Sequence, residues 1–296
     1  MSAEASRSED ISRLDVEFYR THHPDLSLFS PDEARNHYIQ HGIYEERAAY
    51  PAAVREHFID EIPLELSALE IGPFDCPMLR GEHVRYADVL SMEGLQKRAA
   101  EHGRNPEGCP YIDYILTDMD LTHIPDKFHS IASAHCIEHQ PDLIQHLQSV
   151  EKLLLDGGRY YVVAPDKRYC FDHFINESTI ADVILAHSED RKLHTVKNVI
   201  EFFAFTTHND AWRHWNGDHG ELDKVHIAQR TRDALELFEK SGDSYIDVHA
   251  WRFTPTSFRL ICDLIADLGY SRLRPTVVHP TPRGRLEFCA VLELQP

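Results

Sequence analysis

The chain is short of basic residues: 30 lysines and arginines stand against 49 aspartates and glutamates, a net charge of -19 over 296 residues. A surface that negative repels a phosphate backbone, so no nucleic-acid partner is expected. No apolar run approaches the roughly 20 residues of a membrane-crossing helix. The opening "MSAEASRSEDISR" is polar and acidic where a secretion signal is basic and then apolar, which leads to the expectation of a cytoplasmic protein. Cysteine is sparse and unpaired in sequence. Cys76, Cys109, Cys136, Cys170, Cys262 and Cys289 form no C-x-x-C pair, which argues against a zinc knuckle or a disulfide framework. Glycine is scarce too, and G-x-G-x-x-G, the corner that seats a dinucleotide pyrophosphate on a helix N-terminus, does not occur.

What remains is a core-forming sequence with 42% hydrophobic residues and an unusual number of histidines, 21, many of them between His173 and His249. The stretch "EFYRTHHPDLSLFSPDEARNHYIQHGIYEER" spaces Phe18, Tyr19, Tyr38, Ile39 and Ile43 as helices do, and Pro24 and Pro31 break it into two short ones. From residue 67 the pattern becomes strand-like runs, "SALEIG", "HVRYAD", "YIDYILTD", "HSIASAHCI" and "GRYYVVAP". The helical stretches "SMEGLQKRAAEHG" and "PDLIQHLQSVEKLLLDGG" lie between them. A further helix, "TPTSFRLICDLIADLG", precedes two closing strands. Such alternation predicts an α/β fold with a doubly wound, mostly parallel sheet of seven strands.

Gly72 ends the first strand, where the absence of a Cβ lets backbone approach a ligand, and Glu70 is an acid in an otherwise apolar strand end. Asp88 follows about 18 positions later at the end of the second strand, where a carboxylate accepts two ribose hydroxyls. The third strand ends near Asp118. With "AHCIEHQPDLI" and "LLLDGGRYYVVAPDKR", these strand ends resemble class I S-adenosylmethionine-dependent methyltransferases from about residue 65 onward. The resemblance implies a Rossmann-like methyltransferase sheet and S-adenosylmethionine as cofactor, with S-adenosylhomocysteine as product. It implies Glu70 and Gly72 against the methionine part, Asp88 at the ribose, Asp118 by the adenine and His135 lining the cofactor, with Pro73, Phe74, Val89 and Met119 as further cofactor-binding residues. The corner departs from the family in carrying Phe74 to Pro77 where further glycines are usual.

The blocks "AHCIEHQPDLI" and "APDKRYCFDHF" look like methyltransferases encoded beside glycosyltransferases in bacterial surface-polysaccharide clusters, and the N-terminal stretch is similar to a short repeat on those glycosyltransferases. The expected reaction is therefore O-methylation of a sugar hydroxyl in a surface glycan or its precursor. A small-metabolite acceptor and a catalytically inactive scaffold in a glycosyltransferase complex are the alternatives. The expected organisation is an N-terminal helical arm (1–60), a cofactor-binding half (61–170), an insertion capping the substrate (171–250) and a closing helix and strands (251–296). The arm is a candidate for self-association or for a glycosyltransferase partner.

A sugar hydroxyl needs a group to take its proton, and a histidine or carboxylate beside the crevice typically supplies about 100- to 10,000-fold. His139, just past the fourth strand, and Asp166, just past the fifth, stand where that group belongs. In the insertion, "THNDAWRHWNGDHGE" adds His208 and His219, and Trp212, Trp215 and Trp251 offer faces for a sugar. A divalent cation on His208, Asp210, Asp218 and His219 would also activate a hydroxyl, but that spacing matches no fixed motif and no metal is assigned.

Overall fold

The computed structural model describes residues 11–117 and 120–295. Its centre is one seven-stranded sheet: β1 (Ala68–Ile71), β2 (Val84–Asp88), β3 (Tyr114–Ile115), β4 (Phe128–Ala134), β5 (Leu154–Pro165), β6 (Leu273–Val278) and β7 (Glu287–Leu294). The spatial order is β3-β2-β1-β4-β5-β7-β6. The pairs from β3 through β5 are parallel, and β7 runs antiparallel to both β5 and β6. This is a mixed, doubly wound, Rossmann-like sheet, with its winding reversed between β1 and β4.

Both faces of the sheet are buried, so the strands alternate between two apolar cores. Ile131, Tyr160, Val162, Ala164 and Phe288 join one core, whereas Ala132, Tyr161, Val163 and Cys289 join the other. The helices supply the covering stripes. Leu143, Ile144, Leu147 and Val150 of α5 (Leu143–Leu153) and Phe258, Ile261 and Ile265 of α10 (Pro255–Asp267) pack on the first face. Fully burying each such side chain stabilises by roughly 1.5–3 kcal/mol. Side-chain caps set where the helices start: Asp142 accepts from Gln145 N–H, and Thr254 with Ser257 closes a capping box before Pro255.

The N-terminal segment folds on a small core of its own, Tyr19, Leu26, Ala34, Tyr38 and Tyr50, between α1 (Val16–His22) and α2 (Pro31–His37). Pro31 occupies the first turn of α2, where its missing N–H costs nothing. A short helix, α3 (Arg55–Phe58), then places Phe58 under the sheet. After β2 comes α4 (Met92–Glu101). Between β5 and α10 lie α6 (Ile180–Ser188), α7 (Val196–Ala204), α8 (Ala211–Trp215) and α9 (Lys224–Ser241). Arg252 fastens this part to the sheet: it is 2% exposed and lies 3.2 Å from Glu201 and 3.9 Å from Asp172. No helix among the described residues is long and apolar enough to cross a membrane.

Candidate active site

A cavity of about 310 Å³ opens at the carboxyl ends of β1, β2 and β4, where the winding reverses. Three residues with left-handed backbone shape it: Gly72 (φ +69°), Phe74 (φ +46°) and His135 (φ +49°). Gly72 takes that conformation freely, while Phe74 and His135 carry strain of order 1–3 kcal/mol each, a feature that collects at ligand sites. All three line the cavity. Asp88 and Val89 form its wall at the end of β2, with Asp88 Oδ1 accepting from Leu90 N–H at 3.0 Å. Burial pushes the Asp88 carboxyl above its ordinary value against that bond. Leu95, Leu116 and Leu121 make the far side apolar. Asp118 and Met119 lie outside the described residues.

Glu70 does not reach this cavity. It is 1% exposed, and its two oxygens accept from Met78 and Leu79 N–H at 2.8 Å each. The acid clamps the loop that follows Gly72 onto β1, so its carboxylate faces backbone instead of ligand. Burial raises its pKa to about 7 against the pull of the two N–H donors. Pro73 also stands off the lining, its carbonyl taken by Cys76 N–H.

A second cavity of about 550 Å³ adjoins the first and shares Phe74, Arg98, His135, His139 and Asp247 with it. Its other walls include Glu138, Phe171, Phe202 and His249. The turn Ile137–His139 after β4 presents Glu138 and His139 here. Ala250 and Trp251 donate backbone N–H bonds to the Glu138 carbonyl (2.7 and 3.1 Å), which draws His249 to the same spot across more than a hundred residues. The Glu138 side chain is fully buried, and neither of its oxygens has a hydrogen-bond partner. Three imidazoles surround its Oε1: His135 Nδ1 at 3.7 Å, His139 Nε2 at 3.9 Å and His249 Nε2 at 3.9 Å.

The other nitrogen of each imidazole meets a carboxylate. His135 Nε2 lies 2.5 Å from Glu287, and His249 Nδ1 lies 2.5 Å from the buried Asp172. His139 Nδ1 lies 2.9 Å from Asp247, off the line of a straight N–H···O bond. Burial opposes the charged forms of His135 and His139, yet the carboxylates outweigh it and both pKa values rise above the ordinary imidazole value. Burial alone would raise Asp247, but His139 and Arg98 hold it well below the usual carboxylate range.

The remaining candidates lie elsewhere. Asp166, expected beside the crevice, is fully buried and lines neither cavity. Arg168 binds both of its oxygens, and Thr281 Oγ1 donates to it at 2.7 Å, so no lone pair is left facing a substrate. His208 and His219 also line neither cavity. His208 Nε2 bonds the Asp218 carbonyl and its Nδ1 accepts from Asp210 N–H; His219 stacks on His173 at 3.7 Å. Asp210 caps α8 and Asp218 pairs with Arg213 at 2.7 Å, which removes both from the cation site weighed in the sequence. Trp251 is a core residue bonded to the Gln140 carbonyl, and Trp215 stacks on Tyr169. Trp212 is exposed and borders a third cavity with Arg47 and Arg283. Glu138, Asp247 and His249 were missed as site residues although the blocks "IEH" and "DVHAW" contain them.

No family model matches the sequence, and no curated protein matches it. Among solved structures, the chain is similar to a SAM-dependent methyltransferase from Aquifex aeolicus at 12% identity and a TM-score of 0.39, over 83% of this chain and 92% of that one. It is similar to the CcbJ methyltransferase from Streptomyces caelestis at 12% identity and a TM-score of 0.40, over 81% and 94%. A Zn-dependent alcohol dehydrogenase from Rhodobacter sphaeroides matches equally, at 12% identity and a TM-score of 0.40, over 82% and 89%. Likeness at this level does not separate one activity from another.

Proposed function

We propose that the protein is an S-adenosylmethionine-dependent O-methyltransferase whose acceptor is a sugar hydroxyl of a surface glycan or its precursor. The observation that carries this reading is the pair of adjoining cavities, one at the sheet's winding reversal and one above it, sharing His135 and His139 as a common wall. The donor cavity fits the proposed cofactor. Asp88 offers a carboxylate for the ribose diol, Leu95, Leu116 and Leu121 offer an apolar face for an adenine, and the single glycine corner makes no pyrophosphate cradle.

When bound, S-adenosylmethionine supplies a methyl group on a sulfonium, which leaves as a neutral thioether once an oxygen takes the methyl. The protein's own work is alignment and proton removal. Phe171 and Phe202 give the second cavity aromatic faces against which a sugar ring packs. Glu138, His139 and His249 converge where the two cavities meet and receive the acceptor hydroxyl and its proton. Arg98, paired with Asp247, and Tyr245, 3.4 Å from the same carboxylate, hold the partner of His139 in place.

Calorimetric titration with S-adenosylhomocysteine, with NAD in parallel, tests the donor half. Micromolar binding of the first alone supports the assignment, and a gain of one methyl group on a glycan acceptor completes it. Binding of NAD alone overturns it in favour of an oxidoreductase. If neither binds, the inactive-scaffold alternative takes its place.

A further inference from the structure

We propose that Glu138, His139 and His249 bind a divalent first-row transition cation at the junction of the two cavities. One oxygen or nitrogen from each residue lies within 4.8 Å of the others. The donor set, one carboxylate and two imidazoles, is that of catalytic zinc sites and of the iron sites of the two-histidine-one-carboxylate type, both of which leave coordination positions open. A set including two nitrogens selects against magnesium and calcium, which take oxygen.

Four observations support an ion here. First, Glu138 is a fully buried carboxylate without one hydrogen bond, an arrangement that costs several kcal/mol unless a cation compensates it. The neighbouring acids have such partners: Asp247 pairs with Arg98, Asp172 with Arg252 and Glu287 with Arg55. Among the described residues, no lysine or arginine forms an ion pair with Glu138. Second, the imidazole nitrogens stand 3.9 Å from its Oε1, too far for hydrogen bonds. Ligand atoms around a tetrahedral zinc, with bonds of about 2.0–2.2 Å, stand about 3.4 Å apart, so each nitrogen has about half an ångström to close on the Glu138 oxygen.

Third, His249 is oriented from behind: its Nδ1 meets Asp172 at 2.5 Å, which places the proton on Nδ1 and leaves the Nε2 lone pair aimed at the centre, while Asp247 stands 2.9 Å from His139 Nδ1 as a neighbouring charge. His135, backed by Glu287, repeats the pattern at 3.7 Å from Glu138 and is the nearest further nitrogen. Fourth, the centre opens onto the second cavity, where a hydroxyl can complete the coordination.

The role in turnover rests on the methyltransferase reading; the binding of the ion does not. A cation lowers the pKa of a hydroxyl that binds it. The acceptor O–H bond then breaks, its proton passes to the Glu138 oxygen turned away from the ion, and the electron pair stays on the acceptor oxygen for the methyl group.

The test is direct binding to full-length protein freed of metal by a chelator and dialysed. Zn²⁺ is titrated by calorimetry and Co²⁺ by its visible absorption, with S-adenosylhomocysteine binding measured on the same samples. One cation per chain is expected, raising the melting temperature. Glu138→Gln and His249→Ala should each weaken binding by at least about 100-fold, and Asp172→Asn by about 10- to 100-fold. His214→Ala, in the other histidine cluster, should leave it unchanged. No Zn²⁺ or Co²⁺ binding by the wild type overturns the proposal, and so does binding lost in His214→Ala but kept in Glu138→Gln. Because Glu138→Gln preserves shape, circular dichroism and cofactor binding confirm that it is folded. Cofactor binding without a metal defeats the cation alone, and metal binding without the cofactor defeats the methyltransferase reading alone.

Discussion

Two groups of histidines occupy the upper part of the molecule, and their surroundings make them opposites. Around Glu138, each imidazole has a carboxylate behind it and an unpaired carboxylate in front. Around His214, the imidazoles bond backbone carbonyls and one another. His214 Nε2 meets the His208 carbonyl and its Nδ1 meets His219 Nδ1, while His173 and His219 lie face to face at 9°. Both groups bring three candidate ligand atoms within 4.8 Å of one another, so proximity does not separate them. Desolvation lowers the His214 and His219 pKa values, while the carboxylates raise those of His135 and His139. In the proposed reading the second group is structural and the first is the functional one. A histidine count does not separate them; the partners do.

The largest expected effect contrasts the two groups directly. Glu138→Gln should lower the rate of S-adenosylhomocysteine release in the presence of acceptor by about 100- to 10,000-fold. His219→Ala should change it by no more than about twofold, the scale of a surface substitution. Equal losses in both would erase the distinction.

The donor cavity should respond independently of the histidines. Asp88→Ala should weaken S-adenosylhomocysteine by roughly 10- to 150-fold, as expected for losing hydrogen bonds to a charged group. Glu70→Gln should instead act on stability, since an amide N–H₂ would face the Met78 or Leu79 N–H. A Glu70 variant that melts normally but fails to bind would return that residue to the ligand.

Histidines buried without a carboxylate sharpen the contrast through pH. His146 lies against the Tyr160 hydroxyl and His279 against that of Tyr50, and burial lowers each pKa from 6.5 to about 4. A depressed folded-state pKa means that the unfolded chain takes up protons first. The stability each contributes is therefore whole above pH 6.5 and drains away as pH falls toward 4. At about 1.4 kcal/mol per pH unit, each residue should cost roughly 2 kcal/mol between pH 6.5 and 5. In urea unfolding, the stability lost between pH 7 and pH 5 should be smaller by about that amount in His279→Gln than in the wild type, and equal losses would show that His279 is already solvated.

The smallest effect belongs to Trp212, exposed beside Gly284 and away from both cavities. Trp212→Ala should leave the acceptor KM within about twofold. A larger rise would extend the acceptor site to that third cavity.

The sheet was legible because buried parallel strands and amphipathic helices impose different periods on the sequence. β3 was the weak point: "YIDYILTD" reads as a full strand, yet among the described residues only Tyr114–Ile115 form a strand paired with β2. Asp88 was locatable because strand ends in such sheets face the crevice. Glu70 looked equivalent but was not, since an acid two residues before a glycine reads the same whether it meets a ligand or the loop's own N–H groups. Asp166 was misplaced because its saturation depends on Thr281, far along the chain. Glu138 and His249 come together through the bond from Ala250 N–H to the Glu138 carbonyl, which no local spacing encodes.

β7 lies between β5 and β6, and its first residue, Glu287, holds His135. The left-handed turn at His135, on the parallel half of the sheet, is therefore held from its antiparallel half, 152 residues away in the chain. A change at Glu287 would be felt in the first cavity through His135, although Glu287 does not line that cavity.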